Sequence, residues 1–236
     1  MNSKTKTIKI SLLVNSPPRN KMRWLASFAR SGNTWVRAFL ANLLMPKDKP
    51  LTLREILEVP FYTNTDMPDS DPKKELIGKA HHVYSEERHG KRPAIYIVRD
   101  PVDIVPSFAD FFGVSIDYMV EKVSYAWPQH VASWWPHHTK LTLKYEDMPN
   151  NFHTLAKTLY IPDDKKLCLS AIKYSNFALL KEDEKKNGFG EFSGKGNAFF
   201  RRGTSGQGRE VMTNTQVAKV VDGAGKWYTK LGYGNT

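Results

Sequence analysis

Short apolar runs alternate with amphipathic segments along the chain. The runs that are rich in aliphatic and aromatic residues predict four strands, at 22–28, 76–81, 94–98 and 140–145. The segment after the first run carries apolar residues at helical spacing, with Val36, Phe39, Leu40 and Leu43 on one face. Because strands that alternate with helices favour a parallel sheet covered on its faces, the pattern predicts an α/β fold.

Several further segments have the pattern of a helix. Pro101 suits the first turn of a helix, where a missing amide is harmless, and predicts a helix that runs to Phe112. The aromatic-rich region 118–135 is also helical in pattern, and we expect Pro128 and Pro136 to interrupt it. Other helices are predicted at 151–160, 164–173 and 176–186.

The C-terminal part of the chain begins with a glycine-rich stretch. The glycines between 187 and 208 are too many for a regular helix or strand, so we expect a mobile loop there. A loop of about twenty residues inside a compact domain is typical of a lid or binding loop, and we assign 187–209 to such a lid. Thr213 and Gln216 then form a capping box, which predicts a final helix that ends near Leu231.

Length and composition fit one soluble domain. With 236 residues, 40% of them hydrophobic, the chain can bury one core, so we expect a single domain over 1–236 with its core at about 22–232. Twelve Phe, ten Tyr and six Trp argue against disorder as the main state. No apolar run approaches the roughly 18 residues of a membrane span. The one cysteine, Cys168, cannot form an internal disulfide, which indicates a reducing compartment, so a cytoplasmic protein with no membrane partner is expected.

Positive charge is concentrated at both ends of the chain, which has a formal net charge of +11. Residues 1–47 contain nine Lys and Arg and no acidic residue, and residues 185–236 contain nine basic and three acidic residues. The segment 48–75 reverses the balance, with seven acidic and four basic residues. The basic ends indicate an anionic ligand, although a solvated basic surface would have the same composition.

A candidate phosphate site lies between the first predicted strand and the helix after it. Its residues are Arg30, Ser31, Gly32, Asn33 and Thr34. Unpaired amides and the positive end of the helix dipole favour an anion there, while Gly32 lets the backbone come close and two hydroxyls add donors. The spacing of a Walker A loop is absent. Taken alone, such a motif is more often a helix cap than a ligand site.

Two more basic elements accompany this loop. Arg99 follows the buried run 94–98, at the carboxyl edge where open α/β sheets bind ligands, and Ser107 lies two helical turns farther on. The triplet RRG at 201–203 falls in the glycine-rich stretch. Each arginine alone could form a surface salt bridge, but three anion-binding elements together predict a ligand with more than one phosphate.

In this order the motifs resemble those of the sulfotransferases that use 3′-phosphoadenosine-5′-phosphosulfate (PAPS). The resemblance covers about 22–232 and rests on FARSGNTW at 28–35, KAH at 79–81, VRDPVDIVPS at 98–107, LKYEDM at 143–148 and FRRGTSG at 200–206. It implies the fold of that family, a single α/β domain whose central parallel sheet is flanked by helices, similar to P-loop proteins. It also implies sulfuryl transfer from PAPS to a small-molecule acceptor, with adenosine 3′,5′-bisphosphate (PAP) as the other product.

The same resemblance implies catalytic roles. Arg30 would stabilise the charge that develops on the departing nucleotide, with Lys79 as a candidate helper. His81 would take a proton from the acceptor hydroxyl or amine, and the adjacent His82 is the alternative base. The reaction requires no metal, and the pair at 137–138 lacks the acidic or cysteine partners of a metal site.

The resemblance further implies which residues bind the nucleotide. They are Arg30, Ser31, Gly32, Asn33, Thr34, Trp35, Arg99, Ser107, Tyr145, Phe177, Arg201, Arg202 and Gly203. Within this set Trp35 and Phe177 would sandwich the adenine. The 3′-phosphate would be bound by Arg99, Ser107 and the triplet at 201–203, with support from Tyr145.

The chain departs from the family pattern at several positions. Arg30 stands where many members carry lysine, which keeps the charge but replaces a point donor with a wide fork. Gly208 stands where tryptophan is frequent, which argues against a tightly ordered lid. In the family's dimerisation segment, here at 209–218, Asn214 and Ala218 replace valine and glutamate, so a monomer or a weak homodimer is expected.

The acceptor is only loosely constrained by the sequence. We expect the lid and the segments 60–71, 110–118 and 127–135 to line it, and the acidic segment 48–75 favours a polar or cationic acceptor, for instance in the biosynthesis of a specialised (secondary) metabolite. Two other functions stay open, and so does a catalytically inactive relative that only binds the nucleotide, because Arg30 and Gly208 depart from the family pattern. A P-loop-type kinase would need ATP and Mg²⁺, but the Walker lysine is missing. A polyanion or nucleic-acid binding module would use the net charge but leaves the ordered motifs unexplained, so no nucleic-acid partner is expected.

Overall fold

The computed structural model describes residues 23–59, 61–62, 77–135, 139–159, 164–192, 194–196 and 198–234. Five strands form one sheet in the order β2-β3-β1-β4-β5. They are β1 Arg23–Ser27, β2 Phe61–Tyr62, β3 Ile77–Ala80, β4 Ala94–Val98 and β5 Thr139–Lys144. Each paired strand runs parallel to its neighbour. The α/β fold with a central parallel sheet, predicted from the alternating pattern, is therefore confirmed.

The helices cover both faces of this sheet. They are α1 Asn33–Leu44, α2 Leu53–Glu58, α3 Glu86–His89, α4 Pro101–Phe112, α5 Ile116–Trp134, α6 Phe152–Thr158, α7 Lys165–Tyr174, α8 Phe177–Asn187, α9 Gln207–Val211, α10 Asn214–Ala224 and α11 Lys226–Lys230. Leu25 of β1 packs in one apolar cluster with α1, α2, α6, α7 and α8. Its neighbours Trp24 and Ala26 point to the opposite face and pack with α4, α5, α10 and α11. β4 is buried at every position because it lies between two strands and two helical layers.

Some predicted boundaries are wrong. Pro128 does not interrupt the aromatic-rich helix, because α5 continues through it to Trp134. The final helix breaks at Gly225, whose φ of 55° separates α10 from α11. The glycine-rich stretch is shorter than predicted, since Asn187 ends α8 and Gln207 begins α9. The predicted break at Pro136 lies outside the described residues.

The carboxyl ends of four strands meet at one edge of the sheet. β1 leads into the loop of Arg30, β3 into His81, β4 into Arg99 and β5 into Tyr145. Parallel strands bring such residues to the same edge, which is where open α/β sheets bind ligands. The fold therefore gathers residues that are far apart in the sequence.

Candidate active site

A cavity of about 240 Å³ opens at this edge of the sheet. Every site residue implied by the sequence lines it except Ser31: Arg30, Gly32, Asn33, Thr34, Trp35, Lys79, His81, Arg99, Ser107, Tyr145, Phe177, Arg201, Arg202 and Gly203. Ser31 itself is fully buried next to them in the chain. The structure thus collects the separate motifs around one space.

The loop between β1 and α1 is shaped by two left-handed residues, Arg30 with φ 66° and Gly32 with φ 97°. A Cβ on Gly32 would lie 2.8 Å from Cδ2 of Tyr145, so only glycine fits there. Nδ2 of Asn33 donates to the carbonyl of Leu25 at 3.1 Å and ties the start of α1 to β1. The buried hydroxyl of Ser31 has no hydrogen-bond partner among the described residues.

The guanidinium of Arg30 lies between two aromatic rings of the cavity. Its Cζ is 5.0 Å from the ring centre of Phe111 and 4.4 Å from that of Phe199. Nε donates to Oγ of Ser107 at 3.1 Å, and Nη2 donates to the carbonyl of Phe199 at 2.8 Å. Nη1 is buried and unpartnered within the described part of the chain. Burial, and then repulsion from Arg99, lower the pKa of Arg30 to about 10, so it stays charged at neutral pH.

Arg99 is buried beside the same loop. Its Nη1 donates to the carbonyl of Arg30 at 3.1 Å, and its Nη2 donates to the carbonyl of Thr204 at 3.2 Å. Its Cζ lies 4.0 Å from the ring centre of Tyr145, a cation–π contact. Its Nε is buried and finds no acceptor in the ranges that the structure describes. Arg99 therefore joins two loops of the cavity and keeps one donor for a ligand.

Trp35 on α1 and Phe177 on α8 line the cavity together. Their ring centres are 6.1 Å apart and their planes meet at 73°, an edge-to-face contact. Nε1 of Trp35 donates to the carbonyl of Ser175 at 2.8 Å, which fixes the indole. A Cβ on Gly203 would lie 2.4 Å from Cδ1 of Phe177, so this glycine brings the backbone of the RRG triplet against the ring.

The two arginines of that triplet have different surroundings. Arg201 is partly buried, and its Nη2 donates to Oε1 of Gln207 at 2.6 Å. Burial lowers the pKa of Arg201. Arg202 is exposed and donates to a carboxylate oxygen of Glu210 at 3.2 Å. Both side chains add positive charge to the cavity that Arg30 and Arg99 line.

His81 follows β3, and its ring is held by the end of β1. Nδ1 lies 2.9 Å from the carbonyl oxygen of Ser27 and 3.2 Å from its Oγ. Because a carbonyl can only accept, Nδ1 donates to it and Nε2 of the neutral ring keeps its lone pair. Burial, and then the charge of Lys79, lower the pKa of His81 to about 4, so the ring is neutral at pH 7. His82 is exposed and is not among the residues around the cavity, so the geometry favours His81.

Lys79 shares a carboxylate with a buried arginine of α1. Both oxygens of Glu191 accept from Nη1 of Arg37, at 2.9 and 2.8 Å, and one also accepts from Nζ of Lys79 at 3.3 Å. Burial lowers the pKa of Lys79, while the charge of Glu191 raises it. Burial raises the pKa of Glu191, but the charges of Arg37 and Lys79 outweigh it and lower the pKa overall. The three groups form a charged network that joins the glycine-rich loop to α1 and β3.

The glycine-rich loop (residues 188–206) and the start of α9 after it are held by two carboxylates that each accept from two backbone amides. Glu184 on α8 accepts from the amides of 199–200, at 2.6 and 2.8 Å. Asp103 on α4 accepts from the amides of Gly206 and Gly208, at 2.7 and 2.8 Å. The predicted lid is thus anchored at these points, and its mobility stays a prediction.

Much of the remaining cavity wall is aromatic. α4 contributes Phe108, Phe111 and Phe112, and the loop adds Phe199 and Phe200. Phe108 and Phe112 stack with ring centres 5.4 Å apart. The sequence analysis expected segment 110–118 and the lid to line the acceptor, and four of these rings lie there; it did not name the individual rings, although the three on α4 share one helix face. An aromatic wall in the cavity of His81 suits a ligand with apolar rings.

Three acidic residues organise the site, and sequence reasoning gave none of them a role. Glu191 is the only acidic residue between Glu184 and Glu210, and a single acid in a basic loop is the signal that could have indicated it. Asp103 and Glu184 give no comparable signal, because their partners are backbone amides that only the folded chain brings near.

Some predictions fall outside the described residues, among them most of the acidic acceptor segment and the histidine pair at 137–138. Within the described ranges, no cluster of three or more His, Cys, Asp or Glu could hold a metal ion. A search of the same ranges finds no helix of the length and hydropathy needed to span a bilayer.

Comparison with known proteins finds relatives of this whole region. Residues 21–232 match the family described as Sulfotransferase domain. Human and mouse sulfotransferase 4A1 are each 27% identical over 180 residues, which is 64% of this chain and only 62% of their own length. The crystal structure of mouse sulfotransferase SULT7A1 complexed with PAP has a TM-score of 0.60 at 19% identity, over 98% of this chain and 91% of that one. Retinol dehydratase in a complex with retinol and PAP has a TM-score of 0.61 at 18% identity, over 89% and 82%.

Proposed function

This chain belongs to the sulfotransferase domain family, and we propose that it transfers a sulfuryl group from PAPS to a hydroxyl or amine of a small molecule and releases PAP. One observation carries the proposal. Arg30 and Arg99 line the same cavity as a neutral His81, and each arginine keeps a buried donor that has no partner in the described residues. Two structural neighbours, SULT7A1 and retinol dehydratase, were crystallised with PAP.

The chain's own residues fit such a nucleotide. Arg99 Nε, Ser107 and the triplet at 201–203 would hold the 3′-phosphate, since guanidinium and backbone donors suit a phosphate. The amides and hydroxyls of residues 31–34 would hold the 5′-phosphate side, at the N-terminus of α1. Trp35 and Phe177 offer rings to the adenine.

PAPS supplies the activated sulfuryl group when it is bound. Arg30 contributes a fixed positive charge in a water-poor, ring-lined place, where a charge stabilises a developing anion more than it would in water. Its two bonds, to Ser107 and to the carbonyl of Phe199, hold the guanidinium in place before the reaction. Lys79 adds a second cation to the same cavity.

His81 is the proposed base. Its Nδ1 proton is engaged by the carbonyl of Ser27, so Nε2 is the atom that accepts the proton of the acceptor hydroxyl or amine. A pKa of about 4 keeps the ring neutral over the physiological range. The low pKa also makes His81 a weak base, so it acts while the acceptor oxygen or nitrogen forms its new bond.

The acceptor would lie against the aromatic wall of α4. Phe108, Phe111 and Phe112 present rings to the cavity, which favours an acceptor with an apolar ring or chain next to its nucleophilic group. Retinol dehydratase, a structural neighbour, was crystallised with retinol and with androsterone, which are molecules of that kind. The preference for a polar or cationic metabolite rests on the acidic segment around Asp66 and stays a prediction. Cytoplasmic location and a monomer or weak homodimer likewise stay predictions.

The test is incubation of the protein with ³⁵S-labelled PAPS and a panel of phenols, primary alcohols and arylamines. We expect label in at least one acceptor with an equal amount of PAP released, in the absence of added metal. Turnover of ATP with Mg²⁺, and none of PAPS, would instead favour the kinase. Binding of polyanions that salt abolishes, without binding of PAP, would favour the binding module.

A further inference from the structure

We infer that Glu191 is a positioning residue for sulfuryl transfer: it holds Lys79 in its place in the cavity and supplies its counter-charge from the glycine-rich loop. The inference deepens the proposed function and rests on it. Glu191, Lys79 and His81 line the same cavity, and Glu191 is the loop's only carboxylate.

The two cations bind Glu191 unequally. Arg37 makes two bonds, at 2.8 and 2.9 Å, and its side chain is fully buried, so this pair is the anchor. Lys79 makes one contact at 3.3 Å, and its side chain keeps 19% of its exposure. Arg37 therefore fixes the carboxylate, and Lys79 is the partner that can turn toward a second anion without losing the anchor.

Glu191 also supplies the negative charge that Lys79 needs. Three charged or titratable groups face Lys79 in the described residues: Glu191 from the loop, Arg37 from α1 and His81 from the end of its own strand. Of these only Glu191 favours a protonated lysine, while burial and Arg37 oppose it. Without Glu191 the lysine would lose its proton at a lower pH.

The same network also connects the glycine-rich loop to Lys79. Glu191 reaches Lys79 of β3 and Arg37 of α1 from the loop segment 188–192, where the amide of Phe192 also donates to the carbonyl of Phe189 at 3.0 Å. The position of this loop segment therefore determines whether Lys79 has its counter-charge.

The test begins with the substitution Glu191→Gln, which keeps an oxygen for Arg37 and removes the charge. We expect kcat to fall about 10- to 100-fold and its alkaline limb to move to lower pH, with PAP affinity within about twofold of wild type. Glu191→Asp, which keeps the charge, should restore the alkaline limb toward its wild-type position. Glu182→Gln, an exposed carboxylate on α8, is the matched control and should change nothing.

A double-mutant cycle separates positioning from a structural role. In a Lys79→Ala background, Glu191→Gln should add no further loss of kcat, because its effect passes through Lys79. Equal and independent losses in the two backgrounds would overturn the inference. This comparison holds even if Glu191→Gln lowers the melting temperature, provided that the variants are folded at the assay temperature.

A measurement without turnover keeps the inference separate from the proposed function. The side-chain ¹⁵N resonance of Lys79 is titrated by NMR in the ligand-free protein, and Glu191→Gln should shift its midpoint to lower pH. A wild-type protein that neither binds PAP nor transfers from PAPS overturns the proposed function and the inference with it. Normal transfer by Glu191→Gln, with an unmoved Lys79 titration, overturns only the inference.

Discussion

Arg30 shows how much of the site depends on single atoms. Its Nε is taken by Ser107 and its Nη2 by the carbonyl of Phe199, which leaves Nη1 as the buried nitrogen without an acceptor in the described ranges. A lysine offers one ammonium in place of this fork, so both protein bonds and any ligand contact would have to come from a single nitrogen. The backbone of Arg30 is left-handed, with φ 66°, a conformation that is uncommon for a residue other than glycine.

At the same scale, His81→Ala should lower kcat about 100- to 10,000-fold, the usual contribution of a general base. PAP affinity should stay within about twofold, because the ring bonds only to Ser27 among the described residues. His82→Ala is the matched control and should keep most of the activity. A large loss of PAP binding by His81→Ala would make the residue structural instead.

The pH profile gives a second prediction for His81. The base is active when neutral, and its pKa is lowered to about 4, so kcat/KM should hold between pH 7 and pH 5.5. A histidine with the ordinary pKa of 6.5 would lose about tenfold over that range. Initial rates in buffers of constant ionic strength decide between them, and a tenfold fall by pH 5.5 contradicts the buried-base account.

At the scale of the elements, the positions of four strands follow from the residues of those strands alone. The runs behind β1, β3, β4 and β5 are apolar and bounded by polar loops, so their positions could be predicted. The effect of Pro128 could not be predicted from the local sequence. Because proline has no N–H, the carbonyl of Ser124 in α5 lacks its usual helical donor. Gly223 of α10 packs close to that carbonyl, and a Cβ on Gly223 would lie 2.8 Å from its oxygen. Tertiary packing against α10 therefore decided what the local rule alone could not.

The glycine-rich loop likewise has some features that the sequence predicts and others that it does not. The sequence indicated that the triplet at 201–203 and Arg99 bind the same ligand, because each is part of a short motif of adjacent residues. The anchors Asp103, Glu184 and Glu191 were not predicted, since their partners lie from 15 to more than 100 residues away and are mostly backbone amides or a buried arginine. Such contacts exist only after the sheet and helices are in place.

A prediction at this scale concerns the anchor of the loop. Asp103→Asn replaces one of two accepting oxygens with an amide that faces a backbone N–H, so we expect about 1–3 kcal/mol less stability and about tenfold weaker PAP binding. Calorimetry and thermal melts measure both quantities. Asp222→Asn, exposed on α10, is the control. Unchanged PAP affinity in Asp103→Asn would show that the loop needs no such anchor.

At the scale of the whole molecule, three of the histidines in the described ranges resist protonation. Burial is the main cause that lowers the pKa of His81 and His89 to about 4 and that of His130 to about 3. In the unfolded chain each would titrate near 6.5, so between pH 6.5 and pH 4 the unfolded state binds more protons than the folded state. The stabilising contribution of these neutral histidines is therefore fully present above pH 6.5 and declines as the pH falls. Burial raises the pKa of Asp100 and Glu146, which works in the opposite direction.

The melting temperature should accordingly fall between pH 7 and pH 5.5. Each neutral histidine contributes up to about 1.4 kcal/mol per pH unit in this window. The double substitution His89→Asn and His130→Gln should flatten the slope of melting temperature against pH, while the carboxylate contribution cancels in the comparison. Parallel slopes for the two proteins would rule out these histidines as the source.

The central claim is that the cavity binds a nucleotide with both a 3′- and a 5′-phosphate group, and calorimetric titration tests it most directly. PAP, adenosine 5′-monophosphate and ATP with Mg²⁺ are titrated into wild type and Arg99→Ala at two salt concentrations. We predict stoichiometric binding of PAP at least about tenfold tighter than either competitor, with that preference lost in Arg99→Ala. Equal affinities in wild type, or binding of PAP that high salt abolishes, would contradict the account.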